Sequence, residues 1–330
     1  AIAANPSSAR AWAARGLTHN TARAADRAIE DCTRAAGLDP ELVMAHVCRG
    51  LARSTKGLWA EARDDFDRAL ALEPRSATAL AGRGWISFST GRLDDAVADY
   101  RRAVAADPVS QDGWRLLGET LAAQGKNGEA MAALDQAQRV NPADPWPHYL
   151  RALVASNGGD RAAALASVEQ GARLAGAKPT DTALVRGIVL WLFEDVAASA
   201  SALERAVTAG PDNAQAHEAL GRVLVRQGRL DRAREAFETA LRLQPGSWTA
   251  LRGRALLAIA RRDAASALSD IGQSLAVNGA FAESWVVRGQ SYELQGRTDL
   301  AVADYRHAAT RLATDPDGRR ALDLAAARIA

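Results

Sequence analysis

Histidine and cysteine are the side chains best suited to metal binding or nucleophilic chemistry, and this sequence has five scattered histidines and two cysteines. His46, His148 and His217 stand at the same place in a repeated pattern described below, with whole units of that pattern between them. Metal sites instead need ligands at close, characteristic spacings, as in an HExxH helix. We therefore expect packed core histidines and no metal site.

The two cysteines allow two interpretations. Cys32 stands at a place that is bulky and apolar elsewhere in the repeated pattern, which predicts a small, buried core residue. A disulfide with Cys48 is the alternative. We do not favour it, because two cysteines are too few for a disulfide scaffold and nothing else in the sequence indicates an oxidising compartment.

No familiar catalytic arrangement occurs in the 330 residues. The sequence lacks the HExxH, GxSxG, GxGxxG and GxxxxGKS/T segments that mark metal-assisted hydrolysis, an activated serine or a phosphate cradle. The prediction is therefore a protein that is not an enzyme and that needs no cofactor.

Charge and composition argue against several classes of partner. The chain has 41 Lys and Arg against 39 Asp and Glu, and its formal net charge of +2 is too small to hold nucleic acid or an anionic membrane by itself. No run of 18 apolar residues is present, so we expect no membrane insertion. The opening residues do not resemble a signal peptide. We expect a cytoplasmic protein, with the periplasm as the alternative.

The elements that must position the side chains recur at a fixed interval. Prolines recur every 34 residues in two series, at Pro40, Pro74, Pro108 and Pro142 and then at Pro211 and Pro245. A period of this size indicates stacked supersecondary units. When this proline is given position 32, nine units begin at Ala9, Val43, Ala77, Gln111, Pro145, Thr180, Ala214, Trp248 and Ala282.

Each unit predicts two helices joined by a turn. Position 8 is Gly or Ala in every unit, position 20 is Ala in all units except the sixth, and position 24 is usually bulky and apolar. Small residues at positions 8 and 20 let two antiparallel helices approach closely, while the large residue at position 24 fills the space toward the neighbour. A glycine, usually at position 15, ends the first helix.

This pattern resembles the tetratricopeptide repeat family, whose signature is W-x2-L-G-x2-Y, then A-x3-F, then P. The fourth unit matches through Trp114, Leu117, Gly118, Leu121, Ala130 and Pro142, and the ninth through Trp285, Gly289, Tyr292, Ala301 and Tyr305. The resemblance covers residues 9–315. It implies an all-α fold, a right-handed α-solenoid of about nine helix-turn-helix repeats with a C-terminal capping helix.

Four segments are expected from this pattern. Residues 1–8 are interpreted as the end of a preceding, truncated repeat, 9–178 as repeats one to five, 179–315 as repeats six to nine, and 316–330 as the capping helix. The fifth unit lacks its closing proline and the sixth has Glu194 in place of the turn glycine. We therefore expect a bend or looser stacking between these two repeats.

An arginine and an aspartate recur together. Position 7 is Arg in seven units and position 23 is Asp in five, and every unit with the Asp also has the Arg. This predicts an ion pair between the two helices of one repeat, in preference to a row of arginines that grips acidic ligands. Arg151 and Arg186 lack the matching Asp, so their partners are left open.

The resemblance also implies where a ligand would bind. In tetratricopeptide repeats the first helix of each unit lines a concave groove through positions 2, 5, 9, 12 and 13. The candidate groove residues on this stripe are Trp85, Phe88, Arg115, Trp146, Tyr149, Leu153, Leu184, Ile188, Trp191, Arg222 and Arg226. Aromatic side chains exposed in a groove are typical of peptide binding sites. The alternative is that Trp85, Phe88, Trp146 and Trp191 are ordinary buried core.

These features predict a non-catalytic scaffold that binds an extended or helical segment of another protein. One alternative is the substrate-recruiting or regulatory part of a larger bacterial multidomain enzyme. Another is self-assembly into a homo-oligomer. Nucleic acid is not expected as a partner, because the stripe lacks a continuous basic row.

Overall fold

A computed structural model describes residues 5–22, 24–174, 176–279, 281–311 and 316–329. Within these ranges the regular structure consists of nineteen α-helices, apart from an isolated bridge residue at Phe281. The helices are α1 Ala9–Thr21, α2 Ala25–Leu38, α3 Val43–Thr55, α4 Trp59–Leu72, α5 Ala77–Ser89, α6 Leu93–Ala106, α7 Gln111–Ala123, α8 Asn127–Val140, α9 Trp146–Asn157, α10 Arg161–Ala172, α11 Pro179–Leu192, α12 Val196–Ala209, α13 Ala214–Arg226, α14 Leu230–Leu243, α15 Trp248–Ala260, α16 Ala264–Val277, α17 Ala282–Leu294, α18 Thr298–Ala308 and α19 Pro316–Ile329.

The bounds of α1 to α18 coincide with the nine units expected from the sequence, two helices to each unit. The two helices of a unit pack against each other in units one to three and five to nine. The expected all-α fold of helix pairs is therefore confirmed. The predicted capping helix is present as α19, which packs on α17 and α18. No helix in the described ranges is both long and apolar enough to cross a bilayer.

The structure divides into two compact units, Ala1–Gln124 and Gly125–Ala330, and each is described by itself. The first contains α1 to α7 and the second α8 to α19. The boundary expected after residue 178 falls inside the second unit. There, repeats five and six share a core cluster that includes Tyr149, Val168 and Val189. The expected bend between these repeats stays a prediction.

In repeats two to nine the residue at position 15 has a left-handed backbone, whether or not it is glycine. Glycine at this position has positive φ in six repeats, for example 73° at Gly57. Glu194 and Arg262, at the same position of repeats six and eight, have φ of 58° and 59°. A residue with a Cβ is uncommon in this conformation. Repeat six therefore keeps the turn although it lacks the glycine.

The ring at position 24 packs into a space that glycines leave open in two successive repeats. Phe66 lies against Gly50 of its own repeat and Gly82 at position 6 of the next, and a Cβ added at Gly82 would overlap the ring. Phe237 lies in the same way against Gly221 and Gly253. Both phenylalanines are fully buried. These contacts join repeat two to repeat three and repeat seven to repeat eight.

Cys32 and Cys48 meet across this same gap and form a disulfide, with their Cα atoms 5.9 Å apart. Cys32 is at position 24 of repeat one and Cys48 at position 6 of repeat two, the places that Phe66 and Gly82 hold one repeat later. Cys32 is buried, as expected. Our preference against a disulfide was wrong, because these two positions face each other.

Histidine and tryptophan make the same contact at position 4. Nε1 of Trp114 donates a hydrogen bond to the carbonyl oxygen of Pro108, six residues earlier, at 2.9 Å. Nε2 of His46 lies 2.9 Å from the carbonyl oxygen of Pro40, and Nε2 of His217 lies 2.9 Å from that of Pro211. These two histidines therefore fix the start of a repeat. No group of three side chains that could hold a metal ion lies in the described part of the chain.

The predicted Arg–Asp pairs are present in all five repeats that carry both residues. Nε of Arg254 donates to Asp270 at 2.6 Å and Nη2 donates to its other oxygen at 2.7 Å. The other pairs are Arg15–Asp31, Arg49–Asp65, Arg83–Asp99 and Arg288–Asp304. The aspartates are buried. A two-pronged bond of this kind fixes the orientation of the two helices in a repeat.

The two arginines without a matching Asp pair with the preceding repeat. Nη2 of Arg151 lies 2.7 Å from Asp135, and Arg186 pairs with Glu169. Both acids are at position 25, where Asp67 also binds Arg83. Position 7 therefore has an acidic partner in these repeats and is structural there.

Candidate functional site

The candidate groove residues of the first compact unit are Trp85 and Phe88 of α5 and Arg115 of α7, and together with Glu119 of α7 we call them the open wall. Trp85 is 42% exposed, and within the described ranges no other aromatic side chain is as open to solvent. Its ring stacks on that of Phe88, which is half-buried, with centroids 5.9 Å apart. An indole held flat and exposed in this way is a surface for apolar contact.

The other part of the open wall, on α7, is charged. Arg115 pairs with Asp112 at 3.2 Å and with Glu119 at 3.5 Å. Burial raises the pKa of Glu119, and the positive charge of Arg115 partly offsets that rise. The open wall therefore combines an exposed apolar face with a small set of paired charges.

The candidate residues on α9, in the second compact unit, lie at different depths. Tyr149 is only 1% exposed, packs on Gly171, and its hydroxyl lies 2.6 Å from that of Thr182. Trp146 and Leu153 are partly buried against the same core cluster. Tyr149 therefore belongs to the core and offers no free surface, which corrects its place among the groove residues.

The candidate residues on α11 are mainly core as well. Leu184 and Trp191 are 3% and 5% exposed and lie in the core cluster of repeats six to eight. Ile188 is partly buried against that cluster. Trp191 is covered in part by Arg222 of the next repeat, whose guanidinium lies 5.5 Å from the ring centroid. For Leu184 and Trp191 the core interpretation is the correct one.

The remaining candidates, Arg222 and Arg226 on α13, lie beside the C-terminal helix. Nη2 of Arg222 donates to Asp317 of α19 at 3.2 Å, and Arg226 is exposed. Arg320 of α19 donates to Asp317 at 3.1 Å and to Glu194, in the turn of repeat six, at 3.0 Å. The first turns of α19 are thus tied to repeats six and seven as well as packed on repeat nine.

These contacts define a second surface, which we call the covered wall: Arg222, Arg226, Arg252, Leu256, Glu283 and Val286 on α13, α15 and α17. Together with α19 they line a cavity of about 180 Å³ that is partly open to solvent. Arg252 and Glu283 are buried in it, with Nη1 of Arg252 and Oε1 of Glu283 3.6 Å apart. Sequence reasoning missed these two residues. The signal was available, because Arg252, Leu256, Glu283 and Val286 continue positions 2, 5 and 9 into repeats eight and nine.

Stacked helix pairs that present first-helix side chains on two walls define a helical repeat scaffold. The family model described as "Tetratricopeptide repeat" matches residues 1–42, 49–110, 90–145, 184–248, 218–283 and 252–318. The chain therefore belongs to the tetratricopeptide repeat family, and the expected α-solenoid class is confirmed.

Comparison with solved structures finds similarities at low sequence identity. The structure titled "Functional Characterization of Pseudomonas Aeruginosa pilF" is 19% identical, with a TM-score of 0.51 over 64% of this chain and 96% of that chain. A tetratricopeptide repeat protein from Parabacteroides merdae ATCC 43184 is 18% identical, with a TM-score of 0.48 over 76% of this chain and 99% of that chain. At 19% identity the first similarity concerns the fold alone. No curated protein matches the chain.

Proposed function

We propose that this protein is a non-catalytic scaffold that binds an extended or helical segment of a partner protein on its first helices. The observation that carries the proposal is Trp85, a large aromatic side chain left 42% exposed on α5. Its stacking on Phe88 holds the ring in place, so little side-chain entropy is lost when a partner covers it. Trp is also among the residues that contribute most to protein interfaces.

The covered wall supports this proposal from within the same chain. There, first helices of the same repeat type already contact an amphipathic helix, α19, through apolar side chains and ion pairs. The open wall offers the same kind of helix surface. We therefore expect its partner segment to place an apolar side chain on Trp85 and Phe88 and polar groups near Arg115 and Glu119, which set its register.

Other candidate residues have supporting parts in this proposal. Trp146, Leu153 and Ile188 are partly buried, so each offers only one edge for contact. Arg222 and Arg226 lie at the covered wall and would meet a partner only beside α19. Self-association stays a prediction, and light scattering over a concentration series tests it.

In the test, helical peptides that bind the full chain are selected from a displayed library. Their affinities for the parent protein are then compared with their affinities for its variants. Trp85→Ala combined with Phe88→Ala should weaken binding by roughly tenfold or more, about 1.4 kcal/mol, because it removes the apolar contact. Trp59→Ala is the matched control, since Trp59 is a partly buried tryptophan on the second helix of repeat two. Selected peptides that bind the double variant as tightly as the parent would contradict the proposal.

A further inference from the structure

The cavity at the covered wall has the size of a small molecule. Its volume of about 180 Å³ is bordered mainly by side chains of α13, α15, α17 and α19 and is partly open to solvent. Cavities of roughly 150 Å³ in protein interiors admit a benzene ring. The space therefore admits one ring or a short branched chain, and it is far too small for a peptide helix.

Apolar side chains form a large part of the lining. Val225 of α13, Leu256 of α15, Val286 of α17 and Leu324 of α19 all border the cavity. An apolar group that enters this space leaves water for contact with these side chains, which is favourable by roughly 25 cal/mol per Å² of apolar surface. The body of a ligand is thus expected to be hydrocarbon.

One polar group in this lining is held firmly in place. Arg252 is only 5% exposed, its guanidinium lies 5.3 Å from the ring centroid of Trp248, and that ring stacks on Phe281. The 3.6 Å between Nη1 and Glu283 is longer than a hydrogen bond. Among the residues that the structure describes, none accepts a hydrogen bond from this buried Nη1. A buried cationic donor without an acceptor is costly, so an anion that supplies one is favoured.

The charges around the cavity also favour an anion. Four arginines border it, Arg222, Arg226, Arg252 and Arg320, against two carboxylates, Glu283 and Asp317. Asp317 accepts hydrogen bonds from both Arg222 and Arg320. Arg320 also pairs with Glu194 outside the lining, so these groups together carry an excess of one positive charge, which attracts a negatively charged ligand.

We propose that this cavity binds a small organic carboxylate with an apolar body, of about the size of benzoate or phenylacetate. The carboxylate accepts a hydrogen bond from the guanidinium of Arg252, and the ring packs on Leu256 and Val286. This site lies in the second compact unit and takes a small molecule, so it is independent of the peptide site proposed at Trp85. Either site can be disproved without affecting the other.

The test measures binding of benzoate, phenylacetate and benzamide to the full chain by isothermal titration calorimetry. Benzamide nearly matches benzoate in shape and lacks its charge. We expect saturable binding of both acids and roughly tenfold weaker binding of benzamide, a difference of about 1.4 kcal/mol. Equal affinity for benzoate and benzamide would overturn the proposal, as would the absence of saturable binding of either acid at millimolar concentration.

Two variants locate the site. Arg252→Met combined with Glu283→Gln removes both charges, so that no unpaired charge is left buried, and should weaken benzoate binding roughly tenfold. Leu256→Trp keeps both charges and fills the cavity, so it should abolish binding of both acids, and it remains informative if the double variant does not fold.

The matched control removes a different arginine–carboxylate pair, whose arginine also lies on α15. Arg254→Met with Asp270→Asn changes a pair that starts two residues from Arg252 and does not border the cavity. Benzoate binding should be unchanged in this control. A loss equal to that of the Arg252 variant, or full binding in Leu256→Trp, would show that the acid binds elsewhere and would refute the site.

Discussion

The open wall and the covered wall are built from the same positions of the same repeat, yet they differ in what contacts them. At the open wall Trp85 is 42% exposed, and the charged residues Arg115 and Glu119 pair with each other on α7. At the covered wall the corresponding helices carry Arg222, Arg252 and Glu283, and α19 lies over them. Position in the repeat therefore sets which way a side chain faces, while the residue types and the rest of the chain decide whether that face is free.

The largest expected effect concerns two tryptophans that the sequence places on the same stripe. Trp191→Ala should destabilise the second compact unit by about 3–5 kcal/mol, because it leaves a cavity in the core. Trp85→Ala should change stability by no more than about 0.5 kcal/mol, since its ring is largely exposed. Urea unfolding followed by circular dichroism measures both. Similar losses for the two variants would show that Trp85 is core after all.

An intermediate effect is expected for the Arg–Asp pair, which both compact units share. Double-mutant cycles on Arg83–Asp99 and on Arg254–Asp270 should each give a coupling energy of about 1–2 kcal/mol, because the carboxylates are buried and bonded at two points. The more exposed pair Arg161–Asp195 serves as control and should couple more weakly than either buried pair. Additive effects at Asp99 and Asp270 would refute the structural role of the pair.

The smallest expected effect is a pH dependence at the open wall. Because the pKa of Glu119 is raised in the folded protein, the folded state holds this proton more tightly than the unfolded chain does. Stability is therefore lost as pH rises from the ordinary pKa of Glu, about 4.3, through the raised value. Glu119→Gln should be slightly more stable than the parent at neutral pH, within about 0.5 kcal/mol, with no difference at acidic pH.

Thermal unfolding at several pH values checks this prediction, and the covered wall supplies the contrast. Glu283→Gln removes the charge partner of buried Arg252, so it should destabilise the protein at neutral pH. A gain in stability from Glu283→Gln, or a loss from Glu119→Gln, would mean that the two walls do not differ in the way described.

The sequence predicted the repeat and its internal contacts because both depend on short, regular spacings. The helix pairs, the turn and the Arg–Asp pair lie within one repeat. The depth of Trp191 does not follow from such spacing, because it depends on how the core cluster of repeats six to eight and Arg222 pack around its ring. The closure of the covered wall depends on Asp317, 95 residues from Arg222, and no periodic pattern predicts that contact.

The cysteines show a different shortfall. Counting them excluded a disulfide scaffold, which was sound for the whole chain but did not address one specific pair. The alignment of repeats already placed Cys32 and Cys48 at positions 24 and 6 of successive repeats. The structure shows that these two positions are in contact, because Phe66 and Gly82 occupy them one repeat later and pack together.

The packing of a phenylalanine onto glycines limits how repeats of this chain can be recombined. A repeat with Phe at position 24 is followed here by a repeat with Gly at position 6, as in Phe66–Gly82 and Phe237–Gly253. Exchanging repeat three for repeat four would place Leu116 where Gly82 stands, directly against the ring. Repeats two and three, and repeats seven and eight, are therefore complementary in sequence. Gene duplication or engineered shuffling has to transfer both repeats of such a pair, or change position 24 and position 6 at the same time.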